Sequence, residues 1–363
     1  MHLKQISVIN FKNHLEANYE FCDSINCFTG NNGVGKTNML DAIYYLSFSK
    51  SFFNAIDSNN INFDSNFFIV QGEYEFDSRD EKIYIGLKQG KKKVVKRNQK
   101  VYKRLADHIG LFPLVMVSPA DANLIIEGSE VRRKFIDGVI SQYDKVYLEN
   151  LLKYNKALIQ RNALLKSFVE NQYFDQESLD LWNDQMEQYA KPIYDSRTQF
   201  LMEFIPIFQK YYDLISGNRE VVSLAYVSQL NDATFSELFA ENLQRELRSQ
   251  HTKVGIHKDD LEFLIDEHSV KKYGSQGQQK TYLLALKLAQ FEIIKNIKGK
   301  KPILLLDDIF DKLDAKRVKA LMKLVSDHNF GQIFISDTNT ERVVKLFEDI
   351  DIEPRVFEVK KAE

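Results

Sequence analysis

The chain has 363 residues, 44% of them hydrophobic, enough for one large core and a smaller lobe, because the buried fraction rises with chain size. Lys+Arg 49 against Asp+Glu 51 leave a formal net charge of -2, which excludes a global positive field; any nucleic-acid contact has to come from a local patch. Cys22 and Cys27 lack the spacing of a zinc site or a disulfide framework, and neither an apolar leader nor a run of about 18 apolar residues occurs, so the expectation is a soluble protein of a reducing cytoplasm with no membrane partner.

In chain order, Leu15, Ala17, Tyr19 and Phe21 alternate with polar neighbours, the period of a half-buried strand, and Leu3 to Phe11 reads as its hairpin partner. A strand over Ile25 to Thr29 ends in glycine, and Met39, Leu40, Ile43 and Leu46 then fall on one face of a helix over Lys36 to Phe48. Phe68, Val70, Tyr74 and Phe76 alternate, as do Ile83, Ile85 and Leu87, with Gln89 and Gly90 as a turn before Val94 and Val95. An antiparallel meander beside a strand, loop and helix is the expectation. From about Ser129 to Leu214 the pattern becomes helical, with polar turns and no sustained heptad, which predicts a compact helical lobe. Pro302 to Leu306 and Ile333 to Ile335 are unbroken apolar runs flanking a helix with Val318, Leu321, Met322 and Val325, hence a β-α-β unit with parallel strands. The class is α/β with a mixed sheet. The predicted division is 1-128, 129-215 (the helical lobe) and 216-363.

Three motifs carry chemistry. Gly30-Asn31-Asn32-Gly33-Val34-Gly35-Lys36-Thr37 has the P-loop pattern, in which glycines let backbone N–H groups wrap phosphates, the lysine reaches the outer phosphates and the threonine hydroxyl ligates magnesium. Its four fixed positions arise by chance in roughly one chain in a hundred of this length. Ile303 to Leu306 ends in Asp307-Asp308, where an open α/β sheet binds ligands. Asp307 can hold the metal ion and Asp308 can orient or deprotonate water, although two such aspartates alone also suit a turn or a helix cap. Ser275-Gln276-Gly277-Gln278-Gln279-Lys280 precedes an apolar helix over Tyr282 to Ile294, offering a hydroxyl and free N–H groups to an anion; by itself this pattern suits a simple N-cap as well.

Together with Lys312-Leu313-Asp314, these motifs resemble ABC-type ATPase heads, and most closely the RecF family of bacterial DNA replication and repair proteins. The resemblance spans nearly the whole chain, through Phe11-Lys12-Asn13, Val117-Ser118-Pro119, Arg132-Arg133-Lys134-Phe135 and Gly255-Ile256-His257-Lys258-Asp259-Asp260-Leu261. It implies ATP and Mg2+ as ligands, with Lys36 and Asp308 in catalysis, Thr37 and Asp307 at the metal, and Ser275, Gly277 and Gln278 reaching nucleotide across an ATP-dependent homodimer in which Asp311 and Asp314 face the partner. It also implies a DNA clamp of recombinational repair with weak, slow turnover, since Asp308 stands where transporters carry the longer glutamate. Asp337 stands at the position of their switch histidine. RecR, with RecO as a further candidate, is the implied protein partner. A transporter subunit or a nuclease-coupled head shares the ATP motifs, but the signature here is Tyr273-Gly274-Ser275-Gln276-Gly277, and no residues remain for a separate nuclease core.

For DNA, the densest basic segment is Lys91, Lys92, Lys93, Lys96, Arg97, Lys100, Lys103 and Arg104, with no acid between. On adjoining strands it can track phosphates without reading sequence; the same residues also suit an edge hairpin whose lysines discourage aggregation. Arg132, Arg133 and Lys134 form a weaker second candidate, or structural ion-pair donors.

Overall fold

The computed structural model describes residues 1–217, 220–310, 315–326, 330–348 and 353–360. The elements run β1 (His2–Phe11), β2 (His14–Glu20), β3 (Ile25–Thr29), α1 (Lys36–Phe48), β4 (Phe67–Phe76), β5 (Arg79–Lys88), β6 (Val94–Arg97), β7 (Lys100–Val101) and β8 (Leu114–Val117). Then come α2 (Asn123–Ile126), α3 (Ser129–Ile140), α4 (Lys145–Glu170), α5 (Gln176–Ser216), β9 (Val222–Val227), α6 (Phe235–Ser249), β10 (Asp260–Ile265), β11 (His268–Ser269) and α7 (Val270–Tyr273). The chain ends with α8 (Gln276–Lys298), β12 (Ile303–Asp307), α9 (Ala315–Ser326), β13 (Ile333–Asp337), α10 (Thr340–Glu348) and β14 (Arg355–Glu358). Two compact units result, one of Met1–Ala122, Lys210–Arg219 and Gln276–Glu363, the other of Asn123–Gln209 and Glu220–Ser275.

The first unit holds two sheets. Alternating apolar residues build an antiparallel sheet in the order β2-β1-β4-β5-β6-β7, in which Val8 faces Ala17 on one side and Val70 on the other. The unbroken apolar strands build a five-stranded sheet in the order β14-β3-β13-β12-β8, every pairing of which is parallel. These strands are buried from end to end in β3, β8, β12 and β13, which is why their sequences lack alternation. Helix α1 packs against both sheets, and its Met39, Leu40, Ile43 and Leu46 join Leu3, Val8, Phe68 and Ile85 of one sheet to Phe28, Met116, Leu305 and Phe334 of the other in a single core. Edge-to-face aromatics fill it, with Phe21 and Phe334 at 4.7 Å and 84°.

The second unit is helical, with a three-stranded antiparallel sheet, β11-β10-β9. Its helices are longer than the expected polar turns suggest. α5, which belongs to this unit up to Gln209, runs unbroken for 41 residues through Pro192 and Pro206, because Ile193, Phe200, Phe204 and Phe208 are buried along it. Burial of that face outweighs the lost backbone bonds at two prolines. The unit also buries charge: Arg161, fully enclosed, donates to Glu246 at 2.7 Å and to Asn183 at 2.7 Å, and lies 4.4 Å from the centre of the Phe239 ring. Among the described residues no helix is long and apolar enough to cross a membrane.

Candidate functional site

The glycine loop leaves β3 and enters α1 through a backbone that other residues cannot adopt cheaply. Gly30 has φ +140°, and a Cβ there would lie 2.5 Å from the carbonyl oxygen of Val359, just beyond β14. Gly35, at φ +114°, would put its Cβ 2.7 Å from both Asn13 and His14. Only glycine fits either place. Gly33, at φ +83°, meets nothing, so its requirement is conformational alone. Asn31, Asn32 and Gly33 are exposed, Val34 and Thr37 are half-buried, and Lys36 is 4% exposed.

The Lys36 ammonium donates to the Gly30 carbonyl at 2.8 Å and the Asn31 carbonyl at 2.9 Å, so it is folded back over the loop it belongs to. An incoming phosphate would find this cation, the loop N–H groups and the start of α1 within the same short segment. The turn between β1 and β2 braces that segment from behind. His14 Nε2 donates to the Gly35 carbonyl at 3.0 Å, and Asn38 Nδ2 donates to Asn13 Oδ1 at 2.7 Å. Burial holds the His14 imidazole below its ordinary pKa, against the pull of the Gly35 carbonyl, so it braces the loop as a neutral donor. Lys12, from the same turn, pairs at 2.6 Å with Asp41 of α1, a fully buried carboxylate that also accepts from Ser51 Oγ at 2.6 Å and the Phe52 N–H at 2.7 Å. The Phe11-Lys12-Asn13 motif thus fixes the loop and the helix that follows it.

Parallel register brings the acidic strand end to the loop. Asp307 lies opposite Ser336, Asp337 opposite Thr29, and Leu306 opposite Val117, so the C-terminal ends of β8, β12, β13 and β3 form one row. Thr37 Oγ1 donates to Asp307 Oδ1 at 2.8 Å, across 270 residues of sequence. Ser336 Oγ donates to the same oxygen at 2.8 Å, and Ser118 Oγ to Asp307 Oδ2 at 3.2 Å. A hydroxyl and a carboxylate that share a hydrogen bond are the two protein oxygens a Mg2+ ion would need, since this ion ordinarily takes one or two carboxylates and completes its shell with phosphates and water. Behind Ser118, the Asp121 carboxylate accepts from the Ser118 N–H at 2.8 Å and pairs with Lys287 of α8 at 2.7 Å. Burial raises the Asp121 pKa, opposed by Lys287.

Asp308 leaves the strand at φ +46°, a left-handed turn that aspartate tolerates, and its N–H donates to Ser336 Oγ at 3.0 Å. One hydroxyl therefore touches both acidic residues. Asp337 is 1% exposed, and Arg342 Nη2 donates to both of its carboxylate oxygens at 2.6 and 2.8 Å. Ser275 is exposed, and Gly277 and Gln278 are half-buried in the first turn of α8. Asp311 and Asp314 lie outside the described residues.

The basic segment divides by environment. Lys93 is drawn inward, pairing with Asp57 at 2.6 Å and donating to the Ser49 carbonyl. Arg97 is bound bidentately by Glu81 at 2.8 and 2.7 Å, an interaction that lowers the pKa of the carboxyl. Lys96 lies 5.0 Å from the centre of the Tyr84 ring. Lys91, Lys92, Lys100, Lys103 and Arg104 are exposed. In the second unit, Arg132 binds Asp260 at 2.7 and 2.9 Å, and Arg133 donates to the Asp259 carbonyl at 2.5 Å.

The remaining motif, Gly255 to Leu261, is a buried polar knot. His257 Nε2 donates to the Thr252 carbonyl at 3.3 Å, and its Nδ1 accepts from Tyr154 OH at 2.8 Å. Burial pushes the imidazole down to about 3. Asp259 accepts from Arg197 at 3.0 Å and Tyr226 at 2.5 Å. Sequence reasoning gave no role to His14, Asp41, Ser118 or Ser336: the two serines depend on parallel register, and His14 and Asp41 on the β1–β2 turn meeting the loop and α1.

A family model described as the RecF/RecN/SMC N terminal domain matches residues 2–357. A protein of Flavobacterium johnsoniae described as DNA replication and repair protein RecF is 50% identical over 98% of this chain and 99% of its own length. One of the same description from Phocaeicola vulgatus is 51% identical over 100% and 98%. A solved structure of the recombination mediator protein RecF with ATP, from the RecFOR pathway, is 33% identical with a TM-score of 0.89, covering 99% of this chain and 96% of that one. An Smc head from Pyrococcus furiosus shares the fold at a TM-score of 0.57 and 16% identity. Match, identity and architecture agree with the P-loop, the acidic strand end and the two-sheet head: this chain belongs to the RecF family of DNA replication and repair proteins, with the fold of an ABC-type ATPase head.

Proposed function

We propose that the chain binds ATP with Mg2+ on Gly30 to Thr37, pairs with a second copy when ATP is bound, holds DNA in that state and hydrolyses ATP slowly to let go. One observation carries this reading: Thr37 Oγ1 and Asp307 Oδ1 are 2.8 Å apart, which unites the phosphate loop and the acidic strand end in one site. A bound Mg2+ would supply charge neutralisation between the outer phosphates. Lys36 would leave its two carbonyl partners for phosphate oxygens, and Asp308 would orient the attacking water. The Asp308 carboxylate is one methylene shorter than a glutamate at that place, so water positioning is poorer and turnover slow.

Ser275, Gly277 and Gln278 are assigned to the outer phosphate of nucleotide held by the partner copy. A ligand shifts an equilibrium only by its unequal affinity for the two states, and a thousandfold preference for the closed pair supplies about 4 kcal/mol. The exposed part of the basic segment would then meet DNA phosphates from two copies at once. A cytoplasmic role at single-strand gaps follows, with RecR, and RecO as a further candidate, assisting recombinase loading; a solved relative is described within the RecFOR pathway.

The test is sedimentation of the full chain with and without ATP-Mg2+. The wild type should dimerise only with ATP, Lys36→Met should neither bind nor dimerise, Ser275→Arg should bind nucleotide yet stay monomeric, and Asp308→Asn should accumulate as dimer. A wild type that remains monomeric in saturating ATP refutes the reading, and a Ser275→Arg chain that loses nucleotide binding refutes the cross-copy assignment.

A further inference from the structure

The side chain that fixes the first turn of α8 comes from a different element. Arg317, near the start of α9, donates from Nη2 to the Gly277 carbonyl at 3.1 Å and from Nε to Thr281 Oγ1 at 2.6 Å. The Thr281 hydroxyl, 1% exposed, donates in turn to the same Gly277 carbonyl at 3.0 Å. A Cβ on Gly277 would come within 3.2 Å of Nη2, so glycine at this position lets the guanidinium lie close against the helix backbone. An arginine fork has fixed angles between its donors, and two bonds from one fork to two acceptors a helical turn apart set the rotation of that turn as well as its distance.

Along the chain, α9 is the next helix after the strand that ends at the phosphate site. α9 follows β12, whose last residue, Asp307, receives the Thr37 hydroxyl. The first turn of a helix points its unbonded N–H groups along the axis, so a small rotation re-aims them. From these contacts we infer that Arg317 is a positioning residue: it staples the signature end of α8 to α9, so that α8 and the Thr37–Asp307 site move as one body within a chain. This deepens the closure reading above and rests on it.

The experiment uses the full chain, with two readouts: affinity of the monomer for a fluorescent ATP analogue, and the dimer dissociation constant in saturating ATP-Mg2+. Arg317→Gln should leave nucleotide affinity within about twofold and weaken the dimer about tenfold, the effect of one charge-assisted hydrogen bond on an equilibrium constant. Arg317→Lys, which can reach one acceptor but not both, should recover part of the loss. Thr281→Val removes one acceptor without changing charge, provides the reading if Arg317→Gln does not fold, and should weaken the dimer by about threefold. Unchanged dimerisation in these variants, or a parallel loss of nucleotide affinity, overturns the inference. A wild type that fails to dimerise overturns the closure reading and this one together, whereas a dimerising wild type beside an unaffected Arg317→Gln overturns this one alone.

Discussion

Removing the Lys12 ammonium should destabilise the nucleotide loop from behind, and the size of the effect can be worked out. Asp41 is fully buried, the Lys12 side chain is 10% exposed, and their charged atoms are 2.6 Å apart. Stranding one member of such a pair costs about 3–5 kcal/mol. Asp41 keeps its bonds from Ser51 Oγ and the Phe52 N–H, which places Lys12→Met at about 3 kcal/mol, the low end of that range. Asp41→Asn alone leaves a mostly buried ammonium, which can swing toward water, and should cost about 2 kcal/mol. The double variant carries no buried charge, and its amide oxygen still accepts from Phe52, so its loss should be about 1 kcal/mol, giving a coupling near 4 kcal/mol. Urea unfolding of the four proteins, followed by circular dichroism, measures the cycle. Additive losses would refute the buried-pair argument. Because Lys12 shares its turn with Asn13 and His14, nucleotide affinity should fall in Lys12→Met and recover in the double variant.

His257 sets an acid limit. Its folded pKa, about 3, lies below the unfolded value near 6.5, so its contribution is complete above pH 6.5 and is lost as pH falls; by pH 5 it has lost about 2 kcal/mol. His257→Gln should reduce the slope of stability against pH in that window, and an unchanged slope would show that the imidazole is not buried neutral. For DNA, changing Lys91, Lys92, Lys100 and Lys103 together to glutamine should weaken binding and lower the slope of log affinity against log salt by about 4 per chain, one for each phosphate no longer neutralised. Lys93→Gln should instead cost stability, since its charge is paired with Asp57. An unchanged salt slope in the fourfold variant removes that face from the DNA surface.

Local pattern carried a large share of the fold. Alternation revealed β1, β2, β4 and β5, and unbroken apolar runs revealed β12 and β13, because in each case burial writes itself into the period of the strand. β8 escaped: Leu114-Val115-Met116-Val117 is a four-residue run between Pro113 and Ser118-Pro119, too short to show any period, and it becomes a strand because β12 pairs with it. β14 is equally short; β9 and β10, six residues each, pair with one another and were not read as strands. At the site, glycines, lysine, threonine and the aspartate pair were legible because their spacing is local. Ser118 and Ser336 were not, since each is an ordinary serine until parallel register sets its hydroxyl on Asp307. Nor could the sequence tell Lys93 and Arg97 from the lysines around them. Their acidic partners, Asp57 and Glu81, lie in earlier parts of the chain.

The contact of Gly30 with Val359 bears on the order in which the molecule is made. The wall that closes over the first glycine belongs to the last strand's end, and β14 reaches β3 only after roughly 300 further residues have been synthesised, about half a minute at ordinary translation rates. Until Val359 emerges, the growing polypeptide therefore carries its triphosphate motif without the carbonyl that lies against Gly30. Ribosome-bound intermediates arrested before Val359 should retain no nucleotide; retention by such intermediates would show that the loop takes its working form without that wall.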